Sequence, residues 1–170
     1  MINYYEPSQS VQFVSRETMM KAVKSGEIVD GTCIISINDT REEADDVVHI
    51  TSEHTPTAIV DSYVFPDDDN GIPRETAESI IRFAERARKM GSPILVHCFA
   101  GISRSGAVAK FINEHFGLDV WFINSYYNYN RSVYNSLLSA SGASLVAMYE
   151  ELELRERAYR FGHNDVSTDW

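Results

Sequence analysis

The apolar run Ile94-Leu95-Val96 gives way at once to His97, Cys98, Phe99, Ala100, Gly101, Ile102, Ser103, Arg104, Ser105 and Gly106. A short run with no polar alternation fits a central strand covered on both faces. Helical character follows from Ser105 to Phe116, with Ala107, Val108, Ala109, Phe111 and Ile112 inside and Gly117 closing it. Strand, tight loop and helix in direct succession constrain the chain to an α/β fold in which this loop sits at the end of a buried strand.

The rest of the pattern is compatible. Val11 to Val14 predicts a short strand, and Ser15 with Glu17 in the next turn predicts a helix that ends at Gly26. Cys33 to Ile37 predicts a buried strand, and Thr57 to Val64 a further β stretch that Pro66 ends. From Pro73, Ala77, Ile80, Ile81, Ala84 and Ala87 fall on one helical face until Gly91, Ser92 and Pro93 stop it. Asp119 to Phe161 is mostly helical by pattern, with Leu137, Leu138, Leu145, Val146, Met148, Tyr149, Leu152 and Leu154 as packing residues. No repeat or Pro/Gly/Ser-rich linker divides the 170 residues, so residues 1–161 are expected to form a single domain and 162–170 a frayed tail.

The loop over residues 97–106 carries the chemistry. A turn of this length can aim successive N–H groups inward as an anion nest, and the helix behind it adds its positive end. Gly101 suits the sharp turn, and the planar fork of Arg104 can donate paired hydrogen bonds to two oxygens of a phosphate. The same field is expected to depress the thiol of Cys98, leaving a thiolate placed for in-line attack on phosphorus. Arg104 and the amides of Phe99, Ala100, Gly101, Ile102 and Ser103 would stabilise the spreading charge, and Ser105 can donate to the sulfur as it leaves. Cys33, inside an apolar run, is expected to be structural. His97 points away from Cys98 if the strand continues, so it orients the loop rather than acting as a base. Neighbouring strand residues on opposite faces, with no further Cys or His cluster, make no metal site.

A phosphate ester's leaving oxygen needs a proton, and Asp67, Asp68 and Asp69 occupy a strand-to-helix loop that can supply it. Of the tyrosines, Tyr4, Tyr5, Tyr126, Tyr127, Tyr129 and Tyr134 are expected to pack rather than to stack on bases, since Arg131 is the nearby cation and no basic groove accompanies them.

The stretch HCFAGISRSG resembles the active-site signature of the protein tyrosine phosphatase superfamily, and its AGISRS portion is similar to dual-specificity phosphatases. The resemblance spans roughly Val11 to Leu138. It implies a central mixed, mostly parallel sheet flanked by helices, and a phosphocysteine mechanism without metal or other cofactor. Cys98 is then the nucleophile, Arg104 the phosphate binder and Ser105 the hydroxyl assisting thiolate departure. Phe65-Pro66-Asp67, followed by Gly71-Ile72-Pro73, resembles the family's mobile acid loop, which makes Asp67 the general acid and Asp68 the runner-up. Asn130 falls where the family has a Pro-Asn segment, with Tyr129 in place of proline, and is a candidate brace for the cradle. The implied substrate is a phosphorylated protein bearing phosphotyrosine, with phosphoserine and phosphothreonine admitted by a shallow site. The loop lacks the lysine of relatives that select inositol phosphates. The alternative is a catalytically weak phosphoprotein-binding module of the same fold.

Charge narrows the partners. A formal net charge of -10 and a pI near 4.9 disfavour nucleic acid and anionic membranes, whose phosphates would be repelled at long range. No apolar run approaches the roughly 20 residues that span a bilayer, the start lacks an apolar leader, and two cysteines are too few for a disulfide scaffold. A cytoplasmic protein is the expectation.

Overall fold

The computed structural model describes residues 11–118, 125–142 and 156–157. Its elements run β1 (Gln12–Ser15), α1 (Arg16–Ser25), β2 (Cys33–Asn38), α2 (Arg41–His54), β3 (Ile59–Val64), α3 (Arg74–Lys89), β4 (Ile94–Cys98), α4 (Arg104–Phe116) and α5 (Arg131–Ala140). The strands form one sheet in the order β1-β4-β2-β3, and each pairing is parallel. Within the described residues the sheet therefore lies at the parallel limit of the mixed, mostly parallel expectation. The expected packing residues Leu145, Val146, Met148, Tyr149, Leu152 and Leu154, the tail 162–170, and Tyr4 and Tyr5 lie outside the described residues.

Strand alternation divides the core into two layers. On β2, Cys33, Ile35 and Ile37 point to one face with Ile94, Val96 and Cys98 of β4, where α3, α4 and α5 cover them. Ile34 and Leu95 point to the other face, onto Met19 and Val23 of α1 and Val47 of α2. Both faces of β2 and β4 are thus buried, which explains why these strands are continuous apolar runs rather than alternating ones. Helices on both faces of a parallel sheet leave the loops after the strands on one edge, where such folds place their ligand sites.

Helix boundaries follow local chemistry. Ser15 caps α1 by accepting from the Thr18 N–H, and Gly26, with φ 75°, closes it. Helix α3 buries Ala77, Ile80, Ile81, Ala84 and Ala87 as its spacing predicts, with Phe83 added to that face. Helix α4 begins one residue earlier than its pattern suggests, at Arg104. No element is predicted between Ile37 and Thr57, yet α2 occupies residues 41–54. Its buried stripe is only Ala44, Val47 and Thr51, and its β-branched residues Val47, Val48, Ile50 and Thr51 argue weakly for helix. What starts it is a cap: Thr40 accepts from the Glu43 N–H, and the Glu43 carboxylate accepts from the Asp39 N–H.

The edge strand β1 is held partly by a side chain. Asn113 of α4, fully buried, accepts from the Val11 N–H at 3.0 Å and donates to the Val11 carbonyl at 3.1 Å. Asn113→Ala leaves both backbone groups unpaired in the interior. The expected loss of unfolding free energy in urea is about 2–4 kcal/mol, and a loss under about 1 kcal/mol would show that β1 does not depend on this anchor.

Candidate functional site

Parallel register gathers the site. Ser15 lies opposite Cys98 and Asn38 opposite Val64, so Arg16, Asp39, Phe65 and Phe99 all follow at the same edge. Cys98 ends β4 and is 2% exposed. The loop turns immediately at Gly101, whose φ is 71°; a Cβ there would lie 2.2 Å from the Ser15 nitrogen and 2.4 Å from the Val14 carbonyl carbon. Glycine is therefore required both by the backbone conformation and by the close approach of the β1–α1 junction. The Arg16 N–H donates to the Phe99 carbonyl at 3.2 Å and fastens the other side of the turn.

The turn surrounds the sulfur with donors. The Gly101 N–H donates to Cys98 Sγ at 3.3 Å, and the Ser105 hydroxyl lies 3.1 Å from it. Burial opposes ionisation of this thiol. The Ser105 hydroxyl and the N–H groups of Ser105, Ile102 and Gly101 outweigh it and bring its pKa below the ordinary value. Cys33 is the contrast: burial pushes its thiol up, in an apolar strand, as the structural reading expects.

Arg104, the first residue of α4, is 5% exposed, and its donors are divided. Nη1 donates to Asp39 Oδ1 at 2.7 Å and to the Phe65 carbonyl at 2.8 Å. Nε is buried without a partner. Asp39 is absent from the sequence reading because its contact with Arg104 spans 65 residues. The available signal was topological: it follows β2 directly, and parallel strands bring the residues after their ends together.

The acidic loop reaches the same edge. Asp67 Oδ1 accepts from the Ser103 hydroxyl at 2.9 Å and from Asn130 Nδ2 at 2.7 Å. Asp68 is engaged locally instead, with Oδ1 accepting from the Asn70 N–H and Oδ2 from its side-chain amide. Asn130 joins the two loops. Its N–H donates to the Ser103 carbonyl, its amide to the Asp68 carbonyl, and its Oδ1 caps α5 by accepting from the Val133 N–H. Phe99 and Ile102 face outward, 64% and 50% exposed.

His97 behaves as an orienting group. Its Nε2 pairs with Ser36 Oγ at 2.6 Å and its Nδ1 lies 3.3 Å from the Cys98 carbonyl. The tyrosines mostly pack: Tyr126 against Phe13, and Tyr129 against Tyr134 with Lys110 over both rings. Tyr127 does not, being 71% exposed. No group of three or more His, Cys, Asp or Glu residues suited to a metal ion occurs among the described residues. Nor is any helix among them long and apolar enough to cross a membrane.

Burial lowers the His97 pKa from 6.5 to about 4, so the folded chain keeps this ring neutral while the unfolded chain protonates it. The unfolded state binds more protons between those values, and stability falls as pH drops through that window. The expected contribution is on the order of 3 kcal/mol, read as a steeper pH dependence of urea unfolding in wild type than in His97→Asn. Equal slopes would show that the ring titrates freely in the folded state.

The protein-tyrosine phosphatase family model matches residues 9–113, more than half of the chain. Solved structures with the same fold include OH1 from the Orf virus, a tyrosine phosphatase of triple substrate specificity, with a TM-score of 0.52 at 22% identity over 80% of this chain and 82% of that one. PTPMT1 in complex with PI(5)P gives 0.51 at 16% identity, over 81% and 93% of the two chains. Human DUSP28 gives 0.50 at 17% identity, over 91% and 93%. Among curated proteins, nothing matches the sequence. By its sequence over residues 9–113, and with the fold to match, the chain belongs to the protein-tyrosine phosphatase family.

Proposed function

We propose that the chain hydrolyses phosphotyrosine, and phosphoserine or phosphothreonine, in proteins through a phosphocysteine intermediate, with Cys98 as nucleophile, Arg104 as phosphate binder, Asp67 as general acid and Ser105 as the leaving-thiolate donor. The observation that carries this reading is the divided guanidinium. Nη1 of Arg104 is fixed on Asp39 and Phe65, while Nε, buried and unpartnered, lacks an acceptor that a phosphate oxygen would supply.

In the first half-reaction the Cys98 thiolate attacks phosphorus opposite the ester oxygen. A sulfur–phosphorus bond forms as the phosphorus–oxygen bond breaks, and Asp67 gives its proton to the departing oxygen. The N–H groups of residues 99–103 and Arg104 hold the equatorial oxygens. In the second, water attacks phosphorus and yields its proton to the Asp67 carboxylate. The sulfur–phosphorus electron pair returns to Cys98, where the Ser105 hydroxyl, 3.1 Å away, stabilises it.

A protein rather than an inositol lipid is supported by the mouth of the site. Phe99 and Ile102 present apolar surface, Asp67 and Asp69 are exposed beside it, and residues 99–103 carry no lysine. Additional phosphates on a substrate would meet carboxylates rather than ammonium groups. A reducing compartment such as the cytoplasm suits the free thiols of Cys98 and Cys33.

Turnover of p-nitrophenyl phosphate tests the chemistry. Cys98→Ser is expected to abolish it while still binding a phosphotyrosyl peptide, and Asp67→Asn to lower kcat about 100-fold with Asp68→Asn close to wild type. A wild-type chain that binds the peptide but turns over no phosphoester would instead be a phosphoprotein-binding module. A kcat/KM for PI(5)P vesicles above that for phosphotyrosyl peptide would overturn the assignment of substrate.

A further inference from the structure

We infer that Tyr126 is a positioning residue of the phosphate cradle, holding the peptide between Ile102 and Ser103 with its N–H turned toward the bound oxyanion; this rests on the reading of residues 98–104 as an oxyanion site. Tyr126 lies outside the loop by sequence and after α4, but its hydroxyl donates to the Ile102 carbonyl at 2.5 Å. The described backbone has no cis peptide bonds, and in a trans peptide the C=O and N–H point in opposite directions. Fixing the Ile102 oxygen outward on Tyr126 therefore fixes the Ser103 N–H inward. A nest of amides stabilises an anion only if each peptide plane is held in that sense before the ligand arrives.

A second feature shows that the ring is seated for this contact. Gly106, in the first turn of α4, has helical rather than positive φ, so its backbone does not require glycine. A Cβ at Gly106 would instead lie 2.6 Å from Cε1 and 3.0 Å from the hydroxyl of Tyr126. The missing side chain makes room for the tyrosine against the helix start. On its other side the ring meets Phe13 edge-on, centroids 5.0 Å apart at 63°. Strand β1, the cradle and the helix start thus meet at one side chain, whose polar end is spent on a cradle carbonyl. The ring also lies close enough to Cys98 that, after burial, the sulfur's charge is what raises the Tyr126 pKa. The hydroxyl therefore keeps its proton to donate when the thiolate forms.

The substitution Tyr126→Phe keeps the ring and removes the hydroxyl. The expected result is an upward shift in the pH midpoint of Cys98 alkylation by iodoacetamide, together with a rise of about fivefold in the Kd for vanadate, the loss of one hydrogen bond's contribution. Thermal unfolding should stay near wild type. Gly106→Ala, which displaces the ring, is expected to reproduce both changes. An alkylation profile and vanadate Kd unchanged in Tyr126→Phe would overturn the inference, even if Gly106→Ala shifts them, because ring packing alone would then be at work. The two readings separate cleanly. A chain without phosphoester turnover whose thiol midpoint still rises in Tyr126→Phe keeps the positioning role and loses the phosphatase; an active phosphatase with an unmoved midpoint does the reverse.

Discussion

The contact on which the site depends is the Arg104–Asp39 pair, in which a buried guanidinium gives one nitrogen to a carboxylate 2.7 Å away. An uncompensated guanidinium at this depth would be costly, and Asp39, itself about half exposed, offsets that cost without closing the site. The Phe65 carbonyl takes the same nitrogen from the acid-loop side. The result is an arginine whose rotamer is settled by two neighbouring strands before any ligand binds, with its Nε edge unengaged. Preorganisation of this kind is what gives a charged donor more leverage on a developing transition state than it has in water.

The sheet makes that arrangement possible. Because β1, β4, β2 and β3 run parallel, Ser15, Cys98, Asn38 and Val64 end on one edge, and the four loops that follow supply the turn contact, the nucleophile, the arginine clamp and the acidic residues. Distant parts of the chain are then tied together by short polar contacts. Asn130 links the acid loop to the cradle, and the Ser36–His97 pair ties β2 to β4 directly beneath Cys98. These links are made by buried or half-buried groups on rigid elements, which suits a site needing fixed geometry more than induced closure.

What was legible in the sequence was local. The apolar run before Cys98, the glycines at 26, 101 and 117, and the helical face of Ala77 to Ala87 each announce themselves within a few residues, and their boundaries fall within a residue or two of those observed. Helix α2 was missed because its buried stripe is narrow and β-branched, so packing onto β2 and β3 decides what propensity leaves open. Asp39 and Tyr126 were missed for a different reason. Neither belongs to a motif, and their contacts with the cradle span 65 and 24 residues. Only the parallel register and the return of the chain past α4 bring them there, and neither can be read from spacing alone.

The most direct measurement is the structure of the protein with tungstate bound. With Arg104 held as described, the oxyanion should sit over Cys98 with one oxygen accepting from Nε while Nη1 remains on Asp39 and the Phe65 carbonyl. An empty loop, or an Arg104 that must release Asp39 and swing round to meet the ligand, would contradict a cradle assembled in advance.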